Sequence, residues 1–211
     1  PNPDADADLV ASFLEDAGYI VIQENNLTRE GFEQFFRGVI QGLPEDSEVL
    51  FYYSGHGFQI GASNYLIPVD AQISTKYDVP FQTMSLDTWI AAIAAKADLK
   101  LFILDSCRDN PFIGTSVVDG PFSTQEIVET GFSNQVAPTN SIVSFSTSPG
   151  AVALDGIGEN SPYTGAFITE ARSNPTTAIE AIFSTVRQTV SERTDGKQIP
   201  WSNSTLDDDI F

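Results

Sequence analysis

Residues 100–112 read KLFILDSCRDNPF. The run 101–104 is apolar without alternation, which predicts a strand buried on both faces, as in a parallel sheet. It breaks off into Asp105, Ser106 and Cys107. In open parallel sheets chemistry gathers just past the carboxyl ends of the strands, and Cys107, the only cysteine of the chain, is expected there. A lone cysteine is commonly a small buried hydrophobe. The polar and charged residues on both sides of Cys107 argue instead for the mouth of a loop.

A second stretch, residues 48–57, reads EVLFYYSGHG. Its apolar and aromatic run 49–53 is again strand-like, and it ends in Ser54-Gly55-His56-Gly57. His56 is the only histidine. Its flanking glycines leave it little packing and allow tight backbone turns. Two buried strands thus each end in one reactive residue. Were they neighbours, thiol and imidazole would meet past one sheet edge, and the imidazole would supply the base or cation that makes a thiolate.

Cys107 lies 51 residues after His56, and a cysteine with its histidine about 50 residues upstream is the spacing of caspases. The chain resembles the caspase-like cysteine peptidases, in particular the bacterial metacaspase or orthocaspase branch. The resemblance rests on YYSGHG, on NYLIPVDA at 64–71, on DSCRDNPF, on SFSTSPGAVALDG at 144–156 and on NSPYTGAF at 160–167, in that order. It covers residues 3–206. It implies a caspase-hemoglobinase α/β fold, with a mostly parallel central sheet between helices on both faces.

The same resemblance assigns roles. Cys107 is the nucleophile and His56 the general base. The backbone N–H groups of Gly57 and Cys107 form the oxyanion hole, and no third catalytic side chain is implied. Caspases carry Gln two residues before the cysteine; here that position is Asp105, which favours a Lys or Arg side chain in the S1 pocket and repels Asp. In the resembled branch Ser54 lines S1 with Asp105; the other reading of Asp105 is a loop-capping carboxylate. A further S1 acid is implied after the first strand of the family. That hydrophobic strand, which should precede the first helix, is not found here. The sequence is therefore read as starting after it, through trimming, cleavage or residues not given, and the pocket is expected to be incomplete. Asp155 is a weaker candidate for substrate or ion contact, set against a plain turn. The strand at 142–146 could add an extended peptide at its edge, with Ser144 and Ser146 flanking the subsites. Calcium activates many relatives; no EF-hand spacing is present, so no cofactor is assigned and calcium is left open.

Composition sets the outer bounds. The 211 residues suit one domain, 1–211, with a substantial core; 41% of them are hydrophobic and 15 are Phe. No apolar run approaches the roughly 20 residues of a membrane span. The net charge is −19, from 29 acids against 10 bases. That argues against nucleic acid, which needs a basic face, and favours basic substrates by long-range attraction, although much of it serves as a soluble acidic surface.

Strand and helix alternate along the chain, as in a doubly wound sheet. Helices are expected after Pro3, after Thr28, after Ser85, after Ser161-Pro162 and after Thr176 or Thr177. Short strands are expected at 19–22 and 65–68. Residues 71–84 read as irregular, and the tail 200–211 as a cover for a sheet edge. Residues 109–140 form a long polar connection, functional or disordered at that length. No Lys or Arg occurs in 109–171, so an enzyme specific for those residues would not process itself there and would act as a single chain. The expected function is a cysteine endopeptidase cutting peptide or protein substrates after Arg or Lys. The alternative is a catalytically silent caspase-like interaction module. Oligomeric state and compartment are not legible.

Overall fold

The computed structural model describes residues 3–60, 63–75, 77–107, 128–129, 136–148, 153–154, 156 and 158–211, with the side chains at 107, 128 and 129 outside that description. Three parallel strands form the centre. Strand β1 (Ser47–Ile60) pairs with β4 (Ala97–Cys107), and β4 pairs with β6 (Ser141–Phe145). Beyond β6 lies antiparallel β7 (Trp201–Ser204), the expected covering tail. On the other side β1 turns back into antiparallel β2 (Ser63–Leu66), which pairs with β3 (Met84–Ser85). The path is β3-β2-β1-β4-β6-β7. Of the connection expected over 109–140, residues 128–129 and 136–140 are described; Val128–Glu129 is β5, antiparallel to the end of β1.

The buried strands alternate their side chains between two cores, because successive residues of a strand face opposite ways. Phe102, Leu104, Val143 and Phe145 face α2 (Arg29–Gly42) and α4 (Leu86–Ala94). Ile103 and Ile142 face α1 (Pro3–Asp16), α5 (Pro162–Ser173) and α6 (Ile179–Arg193). Helices therefore cover both faces. Their starts are chemically marked: Thr28, Ser85 and Ser161 each accept a bond from a first-turn N–H, satisfying donors that a helix leaves free. On the α2 side the core is aromatic, with Trp89 seated among Phe32, Phe35, Phe36 and Phe51.

Three local expectations change. The helix α3 (Val79–Gln82) falls within 71–84, read as irregular; four residues with a proline near their start carry too short a pattern to show periodicity. The strand expected at 19–22 does not form, and Ile20 is 94% exposed. Among the described residues no strand pairs with residues 47–55 of β1 on the side away from β4, so this apolar segment has no ladder to join. Strand β1 itself runs through His56 to Ile60 instead of ending before the glycines.

Candidate active site

Strands β1 and β4 pair in unbroken register from Glu48–Leu99 onward, and the last pair is His56 with Cys107. Adjacent strands lie about 4.8 Å apart, so the only histidine and the only cysteine share one end of the sheet. Here β4 ends, while β1 continues for four residues. His56 is exposed and Gly57 is buried. The His56 carbonyl accepts two hydrogen bonds, from the Tyr53 hydroxyl at 2.7 Å and the Ile67 N–H at 3.0 Å. A Cβ at Gly55 would lie 2.7 Å from the Tyr53 hydroxyl oxygen and 2.9 Å from the ring carbon that bears it, closer than real contacts allow. The NYLIPVDA stretch clips onto the same region: Val69 N–H donates to the Leu27 carbonyl, and Asp70 accepts from the first N–H of α2, at Arg29.

Two rungs in from this end, on the α5 side of the sheet, lies a network of polar side chains. Asp105, paired in register with Ser54, is 3% exposed. It accepts from the Ser161 hydroxyl and, at 2.6 Å, from the Thr164 hydroxyl. Because Thr164 spends its one hydroxyl proton on Asp105, the 2.7 Å contact between Tyr52 and Thr164 has Tyr52 as donor. Ser54 in turn bonds the Tyr52 hydroxyl. Burial raises the Asp105 carboxyl above its ordinary range, against the bonds from Ser161, Thr164 and Ser146 that favour the anion.

Asp6 completes the network, and reading the sequence missed it. It is 2% exposed and accepts from Ser161 N–H and Asn160 Nδ2, both at 3.0 Å. Burial lifts it to about 6, against those two bonds, and the charge of nearby Asp105 adds to the lift. The sequence places Asp4, Asp6 and Asp8 at the start of a helix, where the dipole favours acids. Asp6 differs by its spacing: with Val10 and Leu14 it stands at intervals of four on the buried face, while Asp4 and Asp8 are exposed. Ser161 therefore joins two buried carboxylates, and neither has an ion-pair partner among the described residues. Asp6 thus places a second buried acid at this end of the sheet, linked to Asp105 through Ser161.

The remaining candidates divide. Ser144 is buried and hydrogen-bonded to the Tyr163 hydroxyl at 2.7 Å. Ser146 is buried, its N–H on the Leu104 carbonyl and its own carbonyl taken by Gln198. The expectation of peptide addition along this strand is corrected: β4 and β7 occupy both edges of residues 142–145. The tail was read as an edge cover, but which edge it covers is a long-range fact that local sequence does not carry. Asp155 and the Cys107 side chain lie outside the described residues. Among the described residues no group of three or more His, Cys, Asp or Glu is placed to hold a metal ion, and no helix is long and apolar enough to cross a membrane.

Comparison with known proteins gives matches of two kinds, to a family model and to solved structures. The model of the caspase domain family, Peptidase_C14, matches residues 1–211. Among solved structures, caspase-1 from Spodoptera frugiperda is similar in fold, with a TM-score of 0.67 at 19% identity, over 98% of this chain and 79% of that one. No curated protein sequence matches.

Proposed function

The chain belongs to the caspase domain family of cysteine-type endopeptidases, and on that premise we propose that it cleaves peptide bonds after Arg or Lys, using Cys107 and His56 as a dyad. The thiolate of Cys107 attacks the scissile carbonyl carbon, forming a C–S bond. The oxyanion that develops is held by the N–H groups of Gly57 and Cys107. His56, having taken the thiol proton, gives it to the leaving amine as the C–N bond breaks. Water then attacks the thioester with His56 as base, releasing the acid and restoring the thiol. The register pair His56–Cys107 supports this assignment.

The observation that carries the basic specificity is the pair of buried acids, Asp6 and Asp105, with no counter-ion among the described residues. Like charges close together in a buried site resist joint ionisation. A guanidinium or ammonium from substrate supplies the charge that lets both ionise, and the gain appears as preference for Arg and Lys. Ser54, in register with Asp105, contributes a hydroxyl to the same face. The net charge of −19 adds attraction at long range. With no Lys or Arg in 109–171, the enzyme works uncut.

The test is turnover of fluorogenic peptides ending in Arg, Lys or Asp by the wild type, Cys107→Ala and Asp105→Asn, with and without calcium. Hydrolysis confined to Arg and Lys peptides, absent in Cys107→Ala and reduced at least tenfold in Asp105→Asn, is expected. Preference for Asp peptides would refute the specificity. An inert protein whose Cys107 also ignores a peptidyl chloromethyl ketone would favour the silent interaction module.

A further inference from the structure

The proposed base sits at the last rung of the β1–β4 ladder, where side-chain packing adds little to hold it. His56 is exposed, and the residues on either side are glycines, so packing of neighbouring side chains does not fix it. What fixes it beyond that ladder is its carbonyl. That oxygen has two lone pairs, and both are engaged: one by the Ile67 N–H of the returning chain, the other by the hydroxyl of Tyr53. The first bond is ordinary backbone pairing. The second is a side chain reaching three residues forward along its own strand.

Tyr53 is suited to that reach. Its ring sits beside Phe32, with centroids 6.4 Å apart, at the α2 face of the sheet. Packing there would be served equally by phenylalanine; the hydroxyl is what differs. To arrive at the His56 carbonyl the phenol passes Gly55, where a Cβ would meet both its oxygen and its ring carbon. The bare glycine is therefore the clearance through which the tyrosine works. We propose that Tyr53 is a positioning residue for His56, its hydroxyl pinning the histidine carbonyl so that the imidazole is held toward Cys107, with Gly55 as the required gap. This rests on the dyad reading above.

Because the chain has a single cysteine, alkylation by iodoacetamide reports Cys107 alone. Tyr53→Phe keeps the ring and removes one hydrogen bond. It should lower kcat on an Arg peptide about 3- to 10-fold with KM unchanged. It should slow alkylation by the same factor at about pH 6–8. Near pH 10, where a thiol ionises unaided, alkylation should match the wild type; a merely structural role would leave this pH profile unmoved. Gly55→Ala should cost more than Tyr53→Phe, and its cost should shrink when the hydroxyl is already gone. Wild-type kcat and alkylation in Tyr53→Phe would overturn the proposal, as would strict additivity in the double variant. If Gly55→Ala does not fold, Tyr53→Phe alone decides. His56→Ala is the control: if it alkylates at neutral pH as the wild type does, the dyad reading itself fails. If it is slow while Tyr53→Phe is normal, only the positioning role fails.

Discussion

Replacing Asp6 by asparagine should make the protein more stable and less active at once. The Asp6 carboxyl is lifted from 3.8 to about 6, chiefly by burial. A carboxyl with a raised pKa in the folded state holds its proton there while the unfolded chain has lost it, so stability falls as pH rises through that interval. The gap of about two pH units corresponds to about 3 kcal/mol at neutral pH. Local rearrangement and entry of water on ionisation reduce that figure, so a gain of about 1–3 kcal/mol is expected. Asparagine keeps an oxygen that can accept from Ser161 N–H and Asn160 Nδ2. For a chain of 211 residues the gain is a rise in Tm of roughly 3–9 °C. The assay is urea denaturation in a Cys107→Ala background, at intervals from about pH 4 to about pH 7.5. The two proteins should nearly match at about pH 4, where the folded carboxyl is neutral and the unfolded one only about half ionised, and diverge to a plateau above about pH 6. In the active form, kcat/KM for Arg peptides should rise through about pH 6 in the wild type and lose that limb in Asp6→Asn. Parallel stability curves, or a variant less stable at pH 7.5, would refute the reasoning.

Two further outcomes concern the core and the connection. Trp89 is 1% exposed and contacts four phenylalanine rings, the nearest centroid at 4.4 Å; Trp89→Ala should cost about 3–5 kcal/mol, visible as a lower urea midpoint, and a loss under about 1 kcal/mol would mean that core is not structural. Active enzyme incubated at high concentration should stay one band on a denaturing gel. Fragments arising within 109–171 and absent in Cys107→Ala would show that processing there does not need a basic residue.

The central sheet was legible because its strands face a core on both sides. In 101–104, largely buried, and in 49–53, half-buried, contact with a core on each face leaves no polar positions, and in both runs a polar, glycine- or acid-marked end shows where the apolar run stops. The start of α5 was legible in Ser161-Pro162, which satisfies a helix terminus by local chemistry. What was not legible depends on contacts distant in sequence. Residues 19–22 have strand composition, yet a strand exists only where a neighbour offers a ladder. The edge of β6 looked open until β7, some sixty residues later, was placed on it. Asp6 read as one of three helix-start acids because its partners Asn160 and Ser161 lie at the far end of the chain. The network at Asp105 was half visible: the charge could be read beside Cys107, but not that Thr164 and Tyr52 would carry its hydrogen bonds outward.

On the proposed reading of the two buried acids, Ser161 ties substrate choice to helix architecture. Its hydroxyl has one proton, committed to Asp105, and its lone pairs receive the Thr164 N–H that begins α5. Its backbone N–H is committed to Asp6. An engineer turning the pocket toward acidic residues who replaced both carboxylates by side chains without an acceptor would strand a hydroxyl proton and a buried N–H at the first turn of a core helix. Each stranded donor costs about 1–3 kcal/mol, in a protein whose total margin is about 5–15 kcal/mol. Single steps that delete an acceptor here therefore weaken the start of α5, and the routes to new specificity that avoid weakened intermediates are those that keep an oxygen in front of Ser161, as an amide does.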